Sequence, residues 1–189
     1  MSVERISELV VDLSKDPFDP LLNFNLGVAY EEVKQTAAAV SFYLRAAEYG
    51  EDLLVYTSLL KISECFDAQG SRPHSVLNAL QQAAAFNPKR PEAYFLLARY
   101  YEKSRSWQDC YTWASIGLLY ADNSGLGLPA DVGYKGKYSL EFEKAISAWW
   151  IGRKKECVDS LIELNKLEGV SSEYKNAIEW NLSNINASF

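Results

Sequence analysis

The chain has 189 residues, 48% of them hydrophobic, and a formal net charge of −6 at pH 7. This composition supplies enough apolar material for one substantial core. The acidic balance argues against sequence-independent nucleic-acid binding, which depends on Lys and Arg neutralising phosphates. No apolar run reaches the ~18 residues of a membrane-spanning helix. The first residues include Glu4 and Glu8 instead of a basic stretch followed by an apolar run, so we expect a cytoplasmic protein that binds neither nucleic acid nor membrane.

Cysteine and histidine usage predicts no metal, no cofactor and no catalytic centre. Cys65, Cys110 and Cys157 are far apart, and each falls within a helical pattern. His74 is the only histidine, so neither a zinc site nor a Cys–His pair is indicated. We expect the three thiols to be buried as small hydrophobic groups.

The N-terminal segment, residues 2–19, is predicted to be a helix followed by a breaker. Its apolar residues fall on one helical face: Ile6, Leu9, Val10 and Leu13. Pro17 and Pro20 then interrupt the pattern, and Asp19 with Pro20 suits the N-cap and first position of a new helix. A helix, a breaker and a second helix predict a hairpin.

From Pro20 onwards, a pattern of small and aromatic residues recurs at a separation of 71 positions. The matching pairs are Leu26 and Leu97, Gly27 and Ala98, Tyr30 and Tyr101, Ala39 and Cys110, Tyr43 and Ala114, and Ala46 and Gly117. Two periods of about 34 residues explain the separation if the middle unit carries three more. Small residues allow two helices to approach closely. The pattern predicts an all-α solenoid of antiparallel hairpins with repeats at 20–53, 54–90 and 91–122.

After the third repeat, residues 123–138 hold four glycines and one proline and are predicted to form a long loop. We expect apolar residues of this loop to pack onto the helices, namely Leu126, Leu128, Val132, Tyr134 and Tyr138. Helical periodicity then predicts a fourth hairpin at 139–169 and a capping helix at 171–189, within a single domain of 1–189. The adjacent Trp149 and Trp150 diverge by about 100° on a helix, so they cannot both face one core.

These residues resemble the tetratricopeptide repeat (TPR) family, with good register over 20–120 and a weaker fit over 140–167. A second, narrower resemblance rests on residues 87–94, 97–101 and 143–152, which are similar to the helical repeat region that accompanies family 2 glycosyltransferases in bacteria and some of their viruses. The catalytic domain of that family carries an Asp-x-Asp metal motif, and this sequence has none. The second resemblance therefore implies an accessory part and no activity.

The resemblance to repeat proteins also implies a concave groove lined by the first helix of each hairpin. Carried over by register, the groove residues are Phe24, Val28, Glu31, Glu32, Leu60, Glu64, Asp67, Phe95, Arg99 and Glu102. Such a groove would be apolar at its centre and acidic at its edge. A partner segment with apolar anchors and basic flanks would suit it. Alternatively, Phe24, Leu60 and Phe95 pack against a neighbouring helix or the long loop. If the acids line the groove, changing Glu31 and Glu64 to Lys should weaken partner binding without loss of stability.

The sequence therefore predicts a non-catalytic scaffold or adaptor for a protein partner. Three alternatives stay open, namely an accessory module of a glycosyltransferase system, a structural subunit of a large and even viral assembly, and self-association into a homo-oligomer. An enzyme with paired acids is disfavoured, because no nucleophile, metal set or phosphate-binding loop accompanies the carboxylates.

Overall fold

A computed structural model describes residues 2–123 and 127–186 of the chain. In those ranges the secondary structure is entirely helical, which confirms the predicted all-α class. The helices are α1 (Ser2–Leu13), α2 (Pro20–Glu32), α3 (Thr36–Tyr49), α4 (Asp52–Gln69), α5 (Pro73–Phe86), α6 (Glu92–Lys103), α7 (Trp107–Leu118), α8 (Lys137–Trp150), α9 (Lys154–Lys166) and α10 (Ser172–Asn186).

Consecutive helices pair as hairpins: α2 with α3, α4 with α5, α6 with α7, and α8 with α9. The turns within these pairs are three residues long, so the paired helices are antiparallel neighbours. The predicted long loop lies between α7 and α8, and α10 stands at the predicted place of the capping helix. Leu126 of the loop and residues 187–189 of the predicted capping helix lie outside the described residues.

The chain forms two compact units. Of the described residues, the first unit contains 2–88 and 127–132, which include α1–α5. The second unit contains 89–123 and 133–186, which include α6–α10. The loop between α7 and α8 thus contributes to both units. The single domain expected over 1–189 stays a prediction.

In the first unit, the turn into α2 follows the predicted capping chemistry. The carboxylate of Asp19 accepts a hydrogen bond from the backbone N–H of Leu22 at 2.8 Å, and Pro20 occupies the first turn, where an N–H would have no helical partner. Asn23, one turn into α2, is fully buried, and its Nδ2 donates to the carbonyl oxygens of Asp19 at 2.7 Å and Pro17 at 3.2 Å. The amide therefore holds the α1–α2 turn closed.

Gly27 permits the close approach of α2 and α3. A Cβ atom at Gly27 would lie 2.6 Å from Cδ1 and Cε1 of Tyr43, a separation that real Cβ atoms do not show. Tyr43 is fully buried and belongs to a core cluster with Phe24, Ala39 and Ile62. The prediction that a small residue at position 27 allows tight helix packing is confirmed.

In the second unit, Gly117 plays the corresponding part on α7. A Cβ atom there would lie 2.8 Å from Cδ2 of Leu140 on α8 and 2.9 Å from Cβ of Tyr94 on α6. Gly117 therefore lets α7 approach both of these helices closely.

The adjacent tryptophans of α8 face different surroundings. Trp149 is half-buried against the core of α8–α10, whereas Trp150 is 60% exposed, as the predicted divergence of the two side chains requires.

Across the described ranges, no helix is long and apolar enough to cross a membrane.

Candidate partner-binding site

The predicted apolar groove residues of the first unit are largely buried within the chain. Phe24 is 2% exposed and packs against Tyr43 with ring centroids 5.4 Å apart, and Leu60 is fully buried. Val28 is half-buried at the edge of the same cluster. Contact of these three side chains with a partner stays a prediction, and neighbouring side chains already cover Phe24 and Leu60.

The predicted acids Glu31 and Glu64 form an ion-pair network around Lys61. The Nζ atom of Lys61 donates to Oε1 of Glu31 at 2.7 Å and to Oε2 of Glu64 at 2.6 Å, and the hydroxyl of Tyr43 donates to Oε2 of Glu31 at 2.7 Å. Burial alone would lower the pKa of Lys61, but the two carboxylates raise it on balance. Lys61 therefore neutralises part of the negative charge at the predicted acidic edge of this unit.

Lys61 was missed at the sequence level. It lies one residue past Leu60 on α4 and is only 8% exposed. The available signal was its spacing of three residues from Glu64, which places both on one helical face. Because Glu31 and Glu64 hold a buried ammonium group, changing them to Lys would lower stability as well as the acidic charge. These ion pairs lead us to expect a loss of stability on such charge reversal, in place of the unchanged stability expected from the sequence.

The two remaining predicted acids of the first unit differ in exposure. Glu32 is exposed and accepts a hydrogen bond from Nη1 of Arg5 at 3.1 Å, while Asp67 is half-buried.

The loop residues 127–132 also belong to the first unit. Ala130 packs against the Phe24 and Tyr43 cluster, Val132 is buried, and the charge of Asp131 acts on Glu64. Loop packing onto the helices is thus confirmed for the described part of the segment.

In the second unit, the predicted groove residue Phe95 is also buried. Its ring lies 5.4 Å from that of Tyr134 in the loop, so packing against the loop, the alternative to groove contact, is observed here. Arg99 is exposed, with its guanidinium carbon 5.8 Å from the Phe95 ring centroid. Glu102, one turn further along α6, is half-buried.

Arg99 and Glu102 line an open cleft of about 280 Å³ in the second unit. Its walls come from α6, α8 and α10 and from two residues of the loop. The lining residues are Arg99, Glu102, Gly133, Lys135, Phe142, Glu143, Ile146, Glu173, Tyr174 and Ala177. Helices α6 and α8 are the first helices of their hairpins, so this cleft lies on the kind of surface on which the groove was predicted.

Glu143 is the most unusual side chain of this cleft. The residue is 5% exposed, yet Nε of Arg99, the cation that pairs with it, lies 4.0 Å from Oε1, which is too far for a hydrogen bond. Burial, aided by the nearby charge of Glu102, raises the pKa of Glu143 to about 7, while Arg99 pulls it down. The groove residues predicted from the first three repeats did not include Glu143. Helix α8 follows the long loop and lies outside the segments that match at a separation of 71 residues.

In the part of the chain that the structure describes, no group of three or more His, Cys, Asp and Glu side chains could hold a metal ion. Cys65, Cys110 and Cys157 are buried free thiols, as expected, and burial raises the pKa of Cys65 and Cys110 to about 12. Thiols with such pKa values carry almost no thiolate at neutral pH and are poor nucleophiles.

No family model and no curated protein matches the chain. Solved structures of TPR proteins do match its fold. The MamA structure has 14% identity and a TM-score of 0.66, covering 91% of this chain and 88% of that one. YrrB, described as a TPR protein with an unusual peptide-binding site, has 11% identity and a TM-score of 0.62, covering 92% and 81%. TTC0263, a TPR protein of Thermus thermophilus, has 12% identity and a TM-score of 0.61, covering 96% and 89%.

At these identities the likeness concerns the fold alone. The chain has the fold of a TPR solenoid, as its repeat spacing predicted. Proteins of this architecture use stacked hairpins to present extended binding surfaces.

Proposed function

We propose that this protein is a non-catalytic interaction scaffold that binds a segment of a partner protein in the cleft of its second unit. The observation that carries the proposal is the open cleft itself, with apolar side chains such as Phe142, Ile146 and Ala177 beside a charged rim. Apolar pockets bordered by a few charged groups suit the anchoring of a peptide side chain. The peptide-binding site named for YrrB, a structure of the same fold, supports this choice.

A scaffold fits the chemistry better than an enzyme does. The predicted acids Glu31 and Glu64 are engaged with Lys61, and Glu32 is engaged with Arg5. Glu31 and Glu64 bind a nearly buried cation, which leaves them poorly placed to exchange protons with a substrate. The groove residues of the first unit are proposed as a secondary contact surface, limited to Val28, Glu32 and Asp67, which retain solvent exposure.

The test is affinity purification of the tagged full-length chain from its native cells, with identification of the proteins that co-purify. Ala177→Trp fills the cleft, whereas Asn176→Trp adds the same bulk at a neighbouring exposed position of α10. We expect a stoichiometric partner that is retained by wild type and by Asn176→Trp and is lost with Ala177→Trp. Retention by both variants would overturn the assignment of the cleft, and absence of any partner would overturn the scaffold.

The same experiment addresses the other hypotheses. The association with a glycosyltransferase system, membership of a large assembly and a cytoplasmic location stay predictions from the sequence. Recovery of a glycosyltransferase or of particle subunits as the partner would identify the system, and recovery of differently tagged copies of this chain would establish a homo-oligomer.

A further inference from the structure

We propose that Glu143 is the anchor for a guanidinium group, so that an arginine side chain of the partner enters the cleft between α6, α8 and α10. This inference rests on the proposed function, because it names the chemistry that the partner segment must carry. It goes further by assigning one buried residue outside the repeat register as the determinant of specificity.

The carboxylate of Glu143 is buried and incompletely paired. The residue is 5% exposed and lines the cleft, and Nε of Arg99, at 4.0 Å from Oε1, is too far away to donate a hydrogen bond to it. A buried charge without a partner is unfavourable, and a ligand that supplies donors removes that penalty. Guanidinium presents two parallel N–H groups that match the two oxygens of a carboxylate.

The charged side chains of the cleft also favour a cationic ligand. Three carboxylates line it, from Glu102, Glu143 and Glu173, against two cations, Arg99 and Lys135. The lining thus has a formal excess of one negative charge when all groups are ionised. Arg99 is 56% exposed at its side chain and lies over the Phe95 ring, so its charge is largely turned to solvent. Glu102 is half-buried, and Arg99, Lys135 and Glu173 are exposed, so Glu143 is the most deeply buried charged group of the lining.

Two aromatic rings form one wall of the cleft. Phe142 and Tyr174 both line the cleft and contact each other edge to face, with ring centroids 5.3 Å apart. A guanidinium group is weakly hydrated and packs readily on aromatic rings, whereas an ammonium group holds its water more tightly. The combination of an acid and two aromatic rings favours arginine over lysine.

Protonation of Glu143 should respond to the ligand. The titratable or charged groups around it are Arg99 and Glu102 on α6, Cys110 on α7, Lys144 on α8, Glu173 and Tyr174 on α10, and Lys135 in the loop. In the free chain, burial keeps Glu143 partly protonated near pH 7. A bound cation favours the ionised form, so binding near neutral pH should release a proton.

The experiment titrates the full chain with N-acetyl-arginine amide, using N-acetyl-citrulline amide as a neutral probe of the same shape. We expect saturable binding of the arginine probe by calorimetry and at least about tenfold weaker binding of the citrulline probe. At pH 7 the heat of binding of the arginine probe should vary with the ionisation enthalpy of the buffer, which is the sign of proton release. Glu143→Gln should abolish both the preference and the proton release. Glu141→Gln, on the same helix but outside the cleft lining, should change neither.

Equal affinity for the two probes, or an unchanged preference in Glu143→Gln, would overturn the anchor. That result is distinguishable from failure of the proposed function. If the cellular partner is lost with Ala177→Trp but retained by Glu143→Gln, the cleft binds the partner and the arginine anchor is wrong. If the arginine probe binds through Glu143 but Ala177→Trp retains every partner, the anchor stands and the scaffold assignment of this cleft fails.

Discussion

The Nζ atom of Lys61 lies 2.7 Å from Oε1 of Glu31, and this contact joins the first helices of two successive hairpins, α2 and α4. Glu64 accepts a second bond from the same ammonium group, and the hydroxyl of Tyr43 donates to the other oxygen of Glu31. Residues that register alone places at a partner-binding edge are thus structural links between repeats.

Replacing Lys61 with Met should destabilise the chain by about 2 kcal/mol. Lys61 is nearly buried, and its removal leaves two partly buried carboxylates without their cation. Urea denaturation followed by circular dichroism measures the change. Lys15→Met is the matched control, because the Lys15–Asp12 pair is exposed and should contribute less than about 0.5 kcal/mol. Equal stability of the two variants would contradict the structural role of Lys61.

Gly27→Ala should destabilise the chain by about 1–2 kcal/mol, although alanine is the better helix former. The added methyl would lie 2.6 Å from the buried Tyr43 ring, so that α2 and α3 must separate or the ring must shift. Gly127→Ala, where an added Cβ meets nothing within 4 Å, should change the melting temperature little. A stabilised Gly27→Ala variant would mean that the two helices are not packed as closely as described.

Glu143→Gln should stabilise the chain above pH 7 and have little effect near pH 4. The folded-state pKa of Glu143 lies above its ordinary value, so the wild type loses stability as pH rises from about 4.5 to about 7. The full loss approaches roughly 3 kcal/mol for a shift of this size. Denaturation of wild type and variant at pH 4, 6 and 8 measures the difference. A difference that does not grow with pH would show that Glu143 is ionised normally in the folded chain.

Tyr134→Phe should leave stability unchanged or raise it by about 1 kcal/mol. Among the described residues, the buried hydroxyl of Tyr134 has no hydrogen-bond partner, so its removal ends a desolvation penalty without losing the ring contact with Phe95. Tyr134→Ala removes that ring and should instead destabilise the chain by about 2–4 kcal/mol. Thermal unfolding of the two variants separates the contributions. A clear loss of stability in Tyr134→Phe would reveal a partner for the hydroxyl.

The sequence by itself determined the repeat architecture. Gly27 and Gly117 had to be small, Asp19 and Pro20 had to open a helix, and Trp149 and Trp150 had to diverge, because each of these constraints acts within one helix or between neighbours along the chain. A residue pattern that recurs along the chain produces the same local structure each time. The cysteines followed the same rule, since an apolar helical face buries whatever small group it carries.

Tertiary structure alone decided which side chains remain available to a partner. Register placed Phe24, Phe95, Glu31 and Glu64 at a groove, but ring packing buries the two phenylalanines, and Lys61 binds the two acids. Glu143 could be identified as a candidate site residue only from the structure, in which residues of α6, α8 and α10 line one cleft with it. Burial of the two rings and the Lys61–Glu31 pair depend on groups that are distant along the chain, and spacing within a single repeat does not specify such groups.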